Sequence, residues 1–209
     1  MKPVYFFRFF FFLVCFACTV PAEKKSETDL LQTGDLVFQD FDFGNSQAIK
    51  LISHSEYSHV GMIVKQNGET YVYEAVQPVG LCLFSEWKAR NPDGKYLIRR
   101  LKNVQEILTP SKVDALKAAM QNYIGKDYDG LFAWSDKRMY CSEVLWKLYK
   151  NVLNIEAGAL QQLGDLDFTN PIVRRKLAEI YGGEIPMDET VISPQAMLEC
   201  PLFETLVIP

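Results

Sequence analysis

Tyr140-Cys141-Ser142-Glu143-Val144 lies in the last third of a 209-residue chain and organises the reading of the rest. Behind it, Val144, Leu145, Leu148, Tyr149 and Val152 recur at the spacing of one helix face, which predicts a helix beginning at Cys141. At a helix start, unpaired backbone N–H groups and the positive end of the dipole favour a thiolate, and the thiolate is the nucleophilic form. Such a cysteine needs a base, and the chain has only two histidines, His54 and His59.

Composition narrows the classes. Hydrophobic residues make up 48% of the chain, enough for one sizeable core. The net charge is −4, from 22 basic and 26 acidic residues, which gives no electrostatic case for a nucleic-acid partner. No CxxC pair accompanies the two histidines, so no structural zinc is expected.

Residues 1–22 have the form of an export signal. Lys2 and Arg8 supply positive charge ahead of an apolar run, Phe9 to Val20, too short to span a bilayer comfortably. Cys15-Phe16-Ala17-Cys18 is a loose lipoprotein box with Cys18 as the lipidated residue. Val20-Pro21-Ala22 instead suits an ordinary signal peptidase. The polar tether at residues 23–29 favours lipidation at Cys18, which would be the protein's one link to a membrane. A single domain then covers residues 30–209. Its three cysteines, Cys82, Cys141 and Cys200, either include a Cys82–Cys200 pair or none.

Along that domain, Gly34-Asp35 signals a turn before a strand at Leu36-Val37-Phe38. Phe41 to Gly44 is a loop, and Ser46 to Ser53 a short helix. Ser58 to Val64 and Tyr71 to Val76 form a hairpin through Asn67-Gly68, the strongest short hairpin signal. Strands follow at Gly80 to Phe84 and Tyr96 to Leu101, with a helical turn from Ser85 to Lys88 and a loop at Asn91-Pro92-Asp93-Gly94 between them. Thr109-Pro110 starts a helix with Val113, Leu116, Met120 and Tyr123 inward, ended by Gly125. Leu160 to Thr169 is polar and irregular. Asn170-Pro171 starts a helix with Val173, Leu177 and Ile180 inward. Ser193-Pro194 starts a last short helix, and Phe203 to Ile208 closes as a strand.

A two-residue turn at Asn67-Gly68 sets Gln66 opposite Glu69, Gly61 opposite Glu74, and His59 opposite Val76. Alternation puts His59, Gly61 and Glu74 on one face. Glu74 is then a diagonal neighbour of His59, within side-chain reach. Gly61 presents no side chain to block it.

Cys141, His59 and Glu74 are therefore candidate nucleophile, base and orienter. Each alone has a blander use, as a core thiol, an edge histidine or a solvated carboxylate. Three stretches tie them together: Ser58-His59-Val60-Gly61-Met62-Ile63-Val64, Tyr73-Glu74-Ala75, and the cysteine stretch. These resemble the permuted papain-like enzymes, the YiiX/YaeF-type branch of the NlpC/P60 superfamily. In ordinary members the cysteine helix precedes the histidine strand; here the cysteine comes 82 residues after the histidine. Thr33-Gly34-Asp35-Leu36-Val37-Phe38 is similar to the family's first strand, and Gly125-Lys126-Asp127-Tyr128-Asp129 to its glycine–tyrosine loop. Residues 155–190 match nothing in it.

The resemblance implies an α+β, circularly permuted papain-like fold, an antiparallel sheet packed on helices that include the cysteine helix. It implies an exported cysteine amidase or peptidase of the bacterial cell envelope, working through a thioester at Cys141 without a cofactor. His59 would be the base and Glu74 its orienter. The Cys141 backbone N–H would be an oxyanion donor, and Tyr128 a second donor or a wall. The substrate would be a cell-wall peptide or an acyl lipid. Aromatic side chains, among them Phe38, Phe41, Phe43, Phe84, Trp87, Phe132 and Trp134, would suit an apolar pocket or an ordinary core. The alternative is a lipid- or peptide-binding envelope protein with a vestigial site.

Overall fold

The computed structural model describes residues 26–208 apart from 43 and 92. The expected export signal, Cys18, the first residues of the expected tether and Phe43 lie outside the described residues. The elements run α1 Glu27–Leu30, β1 Leu36–Gln39, α2 Ser46–Ser53, β2 His59–Gln66, β3 Glu69–Glu74, β4 Gly80–Leu83, α3 Phe84–Ala89 and β5 Tyr96–Leu101. They continue with α4 Val104–Ile107, α5 Pro110–Met120, α6 Cys141–Leu148, β6 Gln161–Gln162, α7 Pro171–Tyr181, β7 Thr190–Val191, α8 Pro194–Leu198 and β8 Phe203–Thr205. A helical turn at α1 thus stands where the end of the polar tether was expected, held by Glu27 to Lys88 at 2.5 Å. Among the described residues, no helix is long and apolar enough to cross a membrane.

One antiparallel sheet carries the fold, in the order β4-β3-β2-β1-β5-β8. Alternation sorts its side chains. Leu36, Phe38, Val60, Met62, Val64 and Tyr73 join the core shared with α5, α6 and α8. Val37, Ile63, Val72 and Ile98 pack on the other side with Phe84 and Trp87 of α3. The hairpin has the expected register, Gln66 opposite Glu69 and Met62 opposite Tyr73. Its turn works because Asn67 and Gly68 both adopt positive φ, +52° and +79°. Glu74 shares the α3 side with Val72.

Every residue of α6 is buried, the polar Ser142, Glu143 and Lys147 included. The sequence predicted one apolar face, whereas the helix is enclosed all round. It continues as a wide π-helical turn, Tyr149–Leu153. Helix α5 stops at Met120, short of Gly125, because the chain there turns to pair with another segment. Gly125 N–H donates to the Val79 carbonyl and Val79 N–H to that of Lys126, each at 2.9 Å. The expected irregular stretch from Leu160 holds β6, which pairs with β7. The closing strand is shorter than Phe203 to Ile208. Cys82, Cys141 and Cys200 are all free thiols.

Gly61 leaves Glu74 free to reach His59, as expected, and Val72 packs closely against it. A Cβ there would lie 2.3 Å from Val72 Cγ1 and 3.3 Å from the Tyr73 carbonyl oxygen. Gly61→Ala should therefore destabilise the fold by about 1–3 kcal/mol through overpacking. Urea unfolding checks this, and an unchanged midpoint would contradict it.

Candidate active site

The turn that presents Cys141 is tied down on several sides. The Glu143 side chain, in the first turn of α6, accepts from Tyr140 N–H at 3.4 Å and from Ser135 N–H at 3.2 Å. Lys147 Nζ donates to the same carboxylate at 2.8 Å. The Ser142 hydroxyl donates to the Ile192 carbonyl at 2.6 Å, and Ile192 N–H donates to the Tyr140 hydroxyl at 3.1 Å. The start of α6 is thereby fixed to the loop before it and to the segment after β7.

That start lies beside the first residue of β2. The Cys141 thiol is in hydrogen-bond contact with the His59 ring, and the backbone N–H groups of Val60 and Ser142 also face the sulfur. His59 Nε2 meets Glu74 Oε2 at 2.6 Å. Since Nε2 is engaged by Glu74, Nδ1 is the nitrogen left to face the thiol. All three side chains are nearly fully buried.

Burial alone would push Cys141 up, His59 down and Glu74 up. Their mutual contacts outweigh it in each case. Cys141 falls below its ordinary value against burial, through the His59 hydrogen bond and charge and the two N–H groups. His59 is raised to about 9 against burial, by its bonds to Cys141 and Glu74 and their charges. Glu74 is lowered to about 2 against burial, by His59 first and then by Arg90 and Cys82. These shifts favour the thiolate form of Cys141 and the imidazolium form of His59, with the Glu74 carboxylate behind the ring.

The structure places the remaining sequence-derived residues as follows. Tyr128 is close enough to Cys141 to feel its charge; burial holds its phenol protonated, as a donor. Its N–H donates to Gln77 Oε1 at 2.7 Å. His54 stands apart from the pair, closing α2 in a left-handed conformation with its ring exposed and 3.2 Å from Asp167. Of the named aromatics, Phe38 is sheet core, Phe84 and Trp87 stack in the second core, and Trp134 packs on Trp146. Among the described ones, Phe132 alone lines the space in front of Cys141.

That space is a narrow slot with almost wholly apolar walls. Ala48, Ile49 and Ile52 of α2 form one side and Val173, Leu177 and Ile180 of α7 the other, with Cys141, Tyr140 and Ser142 at its end. The segment that resembled nothing at the sequence level therefore supplies one side of the slot. Three further contributors carried no signal in the sequence: Arg90 and Cys82, both bonded to Glu74, and Phe41, whose ring meets that of His59 edge on. They come from three segments without a motif, and only the folded sheet brings them together.

A family model described as a permuted papain-like amidase enzyme, the YaeF/YiiX or C92 family, matches residues 30–207. The chain is 44% identical over 175 residues to the protein named Uncharacterized protein YiiX of Escherichia coli (strain K12), covering 84% of this chain and 85% of that one. A crystal structure described as metalloprotein yiiX from Escherichia coli O157:H7 superposes with a TM-score of 0.80 at 44% identity, covering 84% of this chain and 96% of that one. Among the described residues of this chain, no group of three or more His, Cys, Asp or Glu side chains is placed to hold a metal ion. With its histidine strand ahead of its cysteine helix and the match running nearly the length of the sheet domain, this chain belongs to the permuted papain-like amidase family.

Proposed function

We propose that the protein is an exported cysteine amidase of the bacterial cell envelope. It cleaves an amide or ester bond through a thioester at Cys141, and it favours lipid-linked acyl substrates over cell-wall peptides. The observation that carries the reading is Cys141, in contact with the His59 ring, at the end of a slot lined mainly by aliphatic side chains. An acyl chain buries its methylenes there, each worth about 0.8 kcal/mol. A polar peptide stem would leave its amides without partners on the same walls.

The reaction runs in two halves. The thiolate attacks the acyl carbon, and the carbonyl oxygen becomes an oxyanion held by the Cys141 backbone N–H and the Tyr128 hydroxyl. His59 gives its proton to the departing nitrogen or oxygen as the carbon–heteroatom bond breaks, leaving a thioester. Neutral His59 then takes a proton from water, whose oxygen attacks the thioester. The tetrahedral species collapses, the fatty or peptidyl acid leaves, and the thiolate–imidazolium pair is restored. Glu74 holds the ring in the one orientation that serves both halves. Lipidation at Cys18 would hold this site close to lipid.

Cys141→Ala is expected to lower hydrolysis of a long-chain p-nitrophenyl ester by about a thousandfold or more while leaving the circular dichroism spectrum intact. Full hydrolysis by that variant would overturn the reading. Faster turnover of a short-chain than of a long-chain ester would overturn the substrate preference. A bound fatty acid on a Cys141 inert to iodoacetamide would point to a binding protein instead.

The pH profile separates the two roles of His59. Acylation by an amide needs its proton for the departing amine, so hydrolysis of an amide substrate should fall as pH rises through about 9, where His59 becomes neutral. Alkylation needs only the thiolate and should not fall over the same range. Parallel decline of both rates would contradict the assignment.

A further inference from the structure

The triad uses one oxygen of Glu74 and leaves the other to different partners. Oε2 faces His59, while Oε1 accepts from Arg90 Nη1 and from the Cys82 thiol, the latter at 3.1 Å. Arg90 follows α3, on the side of the sheet away from α6. Its guanidinium also lies over the Phe41 ring, Cζ 5.4 Å from the centroid. Phe41 in turn meets the His59 ring at 63°, with centroids 5.8 Å apart. His59, Glu74, Arg90 and Phe41 thus form a closed circuit of contacts around the imidazole.

The circuit bears on where a proton sits. A buried histidine 2.6 Å from a buried carboxylate has two arrangements, an ion pair or a neutral pair with the proton on the carboxyl. Low dielectric favours the neutral pair. A neutral His59 would no longer hold Cys141 as a thiolate. A second cation on the far oxygen of Glu74 tips the balance back toward the ion pair, because it is attracted only to the ionised carboxylate.

We propose that Arg90 is a positioning residue of this site, whose guanidinium, seated between the Glu74 carboxylate and the Phe41 ring, keeps Glu74 ionised and aimed at His59. The proposal rests on the triad reading above. The groups facing Glu74 are His59 from β2, and through it Cys141 of α6, Cys82 from β4, and Arg90 itself. Glu86 of α3 acts on Cys82. Cys82 is a neutral donor, since burial and then Glu74 push its thiol up to about 12. Among these groups only Arg90 carries a positive charge that does not titrate. Its side chain is 26% exposed, so it keeps part of its own hydration while Glu74 has almost none.

The test is the pH dependence of iodoacetamide alkylation at Cys141, read by mass spectrometry of the Cys141 peptide, in wild type, Arg90→Met and Arg90→Lys. Loss of the cation raises the pKa of both Glu74 and Cys141, so the acid limb should move to higher pH in Arg90→Met, by about one unit. Arg90→Lys should recover at least half of that shift. A limb in Arg90→Met that coincides with wild type overturns the proposal, as does an Arg90→Lys limb shifted as far as Arg90→Met. A residue that only fills space would lower thermal stability and leave the limb where it was. If Arg90→Met does not fold, Arg90→Gln, neutral and of similar length, takes its place under the same criteria. A wild-type limb at the ordinary thiol value would overturn the triad reading itself, whatever the Arg90 variants do.

Discussion

Glu74 carries a full negative charge with almost no surface in contact with water, and an unpaired carboxylate there would cost several kcal/mol. Its charge is answered on one oxygen by His59 and on the other by Arg90. His59 in turn contacts the Cys141 thiol and favours its thiolate form. Arg90, Glu74, His59 and Cys141 form a row of alternating sign that runs from the solvent edge of α3 to the start of α6. Each member is shifted toward its charged form by its neighbours, so removal of one bears on the protonation of the rest. This coupling favours the thiolate of a cysteine that burial alone would push toward the neutral thiol.

The architecture serves that row in two ways. The sheet carries His59 and Glu74 on adjacent strands at a spacing set by the hairpin, and lets α6 and α3 approach from opposite sides. Full burial of α6 then fixes where the sulfur sits, through Glu143 on one flank and the Ile192 contacts on the other. None of this depends on which strand or helix comes first in the chain. A nucleophile, base and orienter are defined by geometry, and the permuted order leaves that geometry available. The slot is a separate addition. Helix α7 lies against α2, and the two line an apolar approach to Cys141.

What the sequence disclosed follows the range of the interactions. The hairpin register was legible because Asn67-Gly68 fixes it locally, and from it the meeting of Glu74 with the His59 ring. The start of α6 was legible because apolar spacing behind Cys141 is a local pattern. Helix α5 was misjudged at its end because the competing partner of Gly125, Val79, lies on a distant segment. Gly61 was read as leaving Glu74 unblocked, and Glu74 does reach His59; that Val72 also packs against Gly61 was not legible, since side-chain packing across a pair is not encoded in register alone. Arg90 was invisible because it sits in no motif and meets Glu74 only after α3 has packed on the sheet. The wall of the slot was invisible for the same reason: α7 and α2 are brought together by folding and share no sequence signature.

The account stands on the resting charge of one sulfur. Ultraviolet absorbance of the thiolate, recorded against pH as wild type minus Cys141→Ser, reads it directly, without a substrate or an alkylating reagent. The account predicts a thiolate signal already present at neutral pH and lost only in acid. A signal that first appears as the pH approaches 9.0, the ordinary value for a cysteine thiol, would contradict it.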